Sequence, residues 1–137
     1  MSKTAIAFAG FASWALLLLI MMEAIRSWLV MSRQVAANQF QPGNENLSPF
    51  MQRLARAHLN CIEGLAMFGG LMVVALVTGK SGLTDGLALW FLLARLVQSC
   101  CHLASLSVAA VTLRFAAFAV QLVIGAIWAV RLLAALL

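Results

Sequence analysis

The chain has 137 residues, of which 64% are hydrophobic and only 9% charged, and its mean hydropathy is +1.02. Soluble domains run at roughly 45–50% apolar and about 25% charged residues, so a soluble globular fold is excluded and an integral membrane protein is expected. The net charge of +5 comes from basic residues scattered singly. With no basic tract or recognition motif, nucleic acid is excluded as a partner, and membrane topology and anionic ligands remain as reasons for the excess.

A membrane helix needs about 20 residues, so residues 1–137 fit one domain of four spans. The continuous apolar runs argue against the short alternating strands of a barrel. Span one is expected over about 4–31, with helix-compatible sequence continuing toward Asn38. Its apolar run is longer than a secretory h-region, which favours a retained first span over a signal peptide. Asn38 to Pro49 is a loop rich in Pro-Gly and Asn/Ser turn chemistry, and Ser48 is placed to cap the next helix with Pro49 at its first position. Span two is expected over about 49–78, followed by the turn Gly79 to Asp85 and span three over 86–104. Ser105 to Ala110 makes a small-residue connection, and span four covers about 111–136. The short later loops predict antiparallel neighbours, and hence an all-α, up-down four-helix bundle.

In that arrangement both termini share a side with Lys80, while Arg33, Arg53, Arg56 and Arg114 lie on the other. The positive-inside rule then puts the long first loop in the cytoplasm and both termini outside it.

Ionised groups at bilayer depth cost on the order of 2.5–3.5 kcal/mol each, so those present mark internal pairing or a polar ligand. Arg56, Asn60 and Glu63 fall at i, i+4 and i+7 and form one stripe on span two. Arg95, Gln98 and His102 form a similar stripe on span three. From the helical rise, Glu63 and Arg95 both lie roughly 15 Å from the cytoplasmic ends of their helices. Glu23 and Arg26 reach a similar layer only if span one extends past Met31. Such a near-neutral set either orients the helices or faces a ligand cavity. The i, i+3 pair Glu23–Arg26 favours the first reading; for Glu63 and Arg95 both stay open. Arg33, Arg53 and Arg114 taken singly read as snorkelling anchors, but their convergence with the two stripes suits a small anionic molecule bearing carboxylates. Cys61, Cys100 and Cys101 read as small hydrophobes in a core. No Ser-His-acid set, metal-ligand spacing or phosphate-binding glycine loop is present, and the chain has no Tyr.

Arg56-Ala57-His58-Leu59-Asn60-Cys61-Ile62-Glu63 resembles the R-A-[HQ]-x-N-x-x-E signature of the MAPEG family, membrane-associated proteins of eicosanoid and glutathione metabolism. Asn38-Gln39-Phe40-Gln41-Pro42-Gly43 is similar to the loop of bacterial members, and Ala94-Arg95 with Gln98 and His102 falls on the family's A-R-x-x-[HY]-x-x-x-Y segment. Arg114 resembles the arginine that opens the last helix. The resemblance implies a homotrimer in a bacterial inner membrane, with glutathione as cosubstrate between subunits near the cytoplasmic side. It implies glutathione contacts from Arg33, Arg56, Asn60, Glu63, Arg95, Gln98 and His102, and a thiolate-stabilising role for Arg114. The second substrate would be a lipophilic electrophile arriving from the membrane lipid, along the apolar faces of spans one and four.

The chain departs from the pattern where His102 and Gln98 replace the family's Tyr and His/Tyr, and where Gly64 follows the glutamate. The spacing from His102 to Arg114 is longer than in mammalian members by about one turn. Two alternatives stand beside a transferase or peroxidase: a non-catalytic protein of the same fold, and a small four-span transporter built on Glu23.

Overall fold

Ser2 opens the first helix by accepting the Ala5 amide on its hydroxyl, and α1 runs from Lys3 to Met31. It stops there because the Ser32 hydroxyl donates back to the Trp28 and Leu29 carbonyls, and Arg33 takes a left-handed conformation with φ 60. The helix therefore does not continue toward Asn38. The computed structural model describes all residues from Met1 to Leu137 and holds helices, turns and loops without strands.

The loop after α1 is held down by side chains. Asn44, fully buried at φ 57, donates from Nδ2 to the Met51 carbonyl at 2.8 Å. Its Oδ1 accepts from Arg26, which also donates to the Gln41 carbonyl and stacks on the Phe40 ring. Ser48 then caps α2 by accepting from the Met51 amide, with Pro49 in the first turn. The missing proline N–H costs nothing at that position.

Helix α2 spans Pro49–Val77 and is interrupted by a π-helical turn, Leu65–Gly69. Such a turn inserts one residue into the repeat, so the polar stripe before it and the apolar face after it follow different phases. The helix ends in a Schellman motif: Lys80 N–H bonds the Ala75 carbonyl, Gly79 N–H bonds that of Leu76, and Gly79 supplies φ 69. Helix α3 follows as Asp85–Ala104 and α4 as Val108–Leu136. Helix α4 begins upstream of the expected Val111 because the Ser107 hydroxyl accepts from the Ala110 amide.

All four helices are long and apolar enough to cross a membrane. Helix α3, at 20 residues, reaches about 30 Å, the thickness of the hydrocarbon layer. It is the central element, packed against α4, α1 and α2. Each helix gives one aromatic ring to the bundle centre. Phe91 of α3 lies 5.8 Å from Phe11 of α1, 4.9 Å from Phe68 of α2 and 5.3 Å from Trp128 of α4, centroid to centroid. Gly125 makes room for Phe68, whose ring would sit 2.7 Å from a Cβ at that position. Lipid tails are as apolar as these rings, so close fit and buried polar bonds hold such a bundle together. Exposed Trp28, Trp90, Phe115 and many leucines cover its outside.

Candidate functional site

Arg95 is completely buried on α3. Its guanidinium stacks on the Phe11 ring at 4.8 Å, and Nη1 donates to Asn60 Oδ1 on α2. Nε and Nη2 have no acceptor. The space comes from Gly64, where a Cβ would stand 2.5 Å from Arg95 Nη2 and 3.1 Å from Phe11. One helical turn along α3, Gln98 donates from Nε2 to the same Asn60 Oδ1 at 3.2 Å. Its own Oε1 accepts from Gln121 Nε2 of α4 at 2.8 Å. A chain of side-chain bonds thus ties α2, α3 and α4 together inside the apolar bundle.

In front of this chain a cleft of about 260 Å³ is lined by Asn60, Gln98, His102, Val111, Arg114, Phe115 and Phe118. Four residues singled out by the sequence, Asn60, Gln98, His102 and Arg114, meet here, and Arg95 sits directly behind Asn60. The others do not join them within the chain. Arg56 and Glu63 are exposed on the outward side of α2, and Arg33 is exposed after α1. Arg56 lines a separate groove of about 330 Å³ with Glu45, His58 and the Pro42-Gly43 turn.

The layer of two paired acids and bases does not form. Glu63 and Glu23 are both exposed, and α1 ends at Met31. The one ion pair in the chain is Arg26 Nη1 to Glu23 Oε1 at 3.2 Å, the local i, i+3 contact. Arg95 has Asn60 as its partner in place of a carboxylate. Arg53 is a structural anchor, donating from Nε to the Leu103 carbonyl at the end of α3. Cys61 is buried with Sγ 3.4 Å from Ser99 Oγ, but Cys100 points out of the bundle and Cys101 is half-buried, so the three do not share one core.

Gln121 was not singled out by sequence reasoning. Its signal was present: an amide in mid-span, two turns after Arg114 and so on the same face of α4. The polar contacts at the other end of the bundle were also missed. There Asp85 Oδ1 accepts from Ser2 Oγ, Thr4 N and Thr4 Oγ1 at 2.7, 2.8 and 2.6 Å, and Thr4 and Thr84 hydroxyls meet at 2.6 Å.

Fold and site together define an integral multi-pass membrane protein whose four-helix bundle carries a polar, donor-lined cleft at one end. A family model, described as MAPEG family, matches residues 5–134, and the chain belongs to that family. No curated protein and no solved structure gives a significant match.

Proposed function

We propose that the protein is a glutathione-binding membrane enzyme, a transferase or peroxidase acting on lipophilic electrophiles. One observation carries the reading: a fully buried guanidinium, Arg95, stands without a carboxylate behind a cleft lined by Asn60, His102 and Arg114. Burying an unpaired charge costs several kcal/mol, and an anionic ligand would offset that cost. The donor set fits glutathione, whose two carboxylates and peptide carbonyls are acceptors.

Glutathione when bound supplies a nucleophilic thiol. Asn60, Gln98 and His102 would hold the peptide, with Arg95 providing positive potential behind them. Arg114, half-buried in the cleft wall, would act beside the sulfur. A fixed cation lowers a thiol's pKa, and its effect grows in a site that excludes water. Phe115 and Phe118 give the same cleft an apolar wall suited to a lipophilic second substrate.

Arg33, Arg56 and Glu63 belong to this site only if a neighbouring subunit brings its own cleft against the outward face of α2. We therefore propose a homotrimer, with the Arg33–Arg56–Arg114 side in the cytoplasm and both termini across an inner membrane. Such packing would also cover the exposed Glu63, which is costly against lipid.

Titration calorimetry with glutathione on detergent-solubilised protein, with mass determination of the oligomer, tests binding and assembly. Conjugation of an aryl halide and reduction of a lipid hydroperoxide test activity. Failure of both binding and turnover overturns the reading. The absence of tyrosine favours a second reading, a binder without turnover. Saturable glutathione binding with no thiol chemistry in either wild type or Arg114→Ala would select it.

A further inference from the structure

Gln121 lies outside the cleft, completely buried, and touches it only through other side chains. Its Nε2 donates both to Gln98 Oε1 at 2.8 Å and to the Ala117 backbone carbonyl at 3.1 Å. A backbone carbonyl only accepts, so the amide face of Gln121 toward Ala117 and Gln98 must be its NH₂. Gln98 then has to present Oε1 to Gln121, which leaves its Nε2 for Asn60 Oδ1 at 3.2 Å. From the opposite end Arg95, which only donates, demands the same Asn60 Oδ1. Two groups with no choice of direction, a carbonyl at one end and a guanidinium at the other, agree on the orientation of all three amides.

We infer that Gln121 is a positioning residue that locks the polarity of the glutathione cleft: through Gln98 it fixes Asn60 with its Nδ2 facing the ligand as a donor. The inference rests on the glutathione reading of the cleft and deepens it. With the lock closed, Asn60 and Arg114 both offer hydrogens, so the cleft selects ligand acceptors, carboxylate or peptide carbonyl, over ligand donors. Without it, Gln98 can turn over and offer Oε1 to Asn60, competing for the orientation that Arg95 imposes.

Gln121→Met keeps the length and apolar fit of the side chain while removing the donor. Binding of glutathione to the detergent-solubilised oligomer is compared in wild type, Gln121→Met, Asn60→Asp (which keeps the acceptor for Arg95 but has no N–H) and the double variant. Each single variant is expected to weaken glutathione binding about tenfold. In steady state, KM for glutathione rises in Gln121→Met while kcat holds; general loosening of the bundle would lower kcat. Because both act through one N–H, the double variant is no weaker than Asn60→Asp.

A wild-type arm needs no stable variant: with ¹⁵N-asparagine labelling, glutathione is expected to shift the Asn60 carboxamide protons. Wild-type binding with Gln121→Met equally tight, fully additive losses, or an Asn60 carboxamide unmoved by bound glutathione would each overturn the lock alone. Absence of binding in wild type would overturn the glutathione reading itself, and the lock with it.

Discussion

Of the two polar clusters inside this bundle, one closes an end and the other lies at mid-span, and they are built on opposite plans. At the end where α1 and α3 begin, Asp85 accepts three hydrogen bonds from Ser2 and Thr4, and the Thr84 hydroxyl, 2.6 Å from that of Thr4, has that hydroxyl and the Ser81 carbonyl as its two acceptors. No buried atom of that clasp lacks a partner. At mid-span, the Arg95–Asn60–Gln98–Gln121 chain leaves Arg95 Nε, Arg95 Nη2 and Gln121 Oε1 unpartnered. The indole N–H groups of Trp14 and Trp128 are also unpartnered, but these are neutral donors, far cheaper to bury than a guanidinium. A closed cluster holds helices together. An open, charged one lies behind a cleft and reaches it through Asn60 and Gln98.

Substitutions can break that contrast. The largest effect is expected from Arg114→Ala, which removes the cation beside the proposed thiolate: turnover should fall about 100-fold or more, by analogy with loss of a preorganised charge-stabilising donor. The bundle should stay folded, and aryl-halide conjugation together with a melting curve reads both.

Gly64→Ala comes next, because its new Cβ would stand 2.5 Å from Arg95 Nη2 and push the guanidinium off Asn60. Overpacking of this kind costs about 1–3 kcal/mol. Thermal unfolding in detergent should record that loss together with weaker glutathione binding.

Thr4→Val attacks the closed cluster and should cost about 1–2 kcal/mol through two lost side-chain bonds. Glutathione affinity should remain at the wild-type value; a large drop in affinity would mean that the two clusters are not independent.

Glu23→Gln should have the smallest effect, below about 1 kcal/mol, since its one ion pair is exposed. Proton-driven uptake into vesicles should be absent in wild type and variant alike. Transport that is lost with this change would restore the transporter reading.

Hydropathy made the four spans legible, and turn chemistry made the Ser48–Pro49 helix start legible, because both depend on neighbours along the chain. The spacings also grouped Asn60 with Arg56 and Glu63, and Gln98 with Arg95 and His102, and of these Asn60, Gln98 and His102 line the cleft. Spacing did not reveal which end of each stripe turns inward. On α2, Asn60 meets the cleft while Arg56 and Glu63 are exposed, because spacing groups the three on one side of the helix but does not say where the neighbouring helices cover it. The π turn at Leu65–Gly69 was equally hidden; it carries Phe68, which packs against Gly125 and Phe91 from the other helices.

Sequence alone therefore determined the membrane solvent, the helical class, the span order and the supply of arginines and amides at one end. Those follow from composition and period, which act locally. Tertiary structure alone decided that Arg95 pairs with an asparagine and not with Glu63, that Gln121 joins the chain from α4, and that Asp85 clasps Thr4. Each of these contacts joins residues far apart in the chain, and a hydrogen bond depends on where the donor and acceptor finally meet.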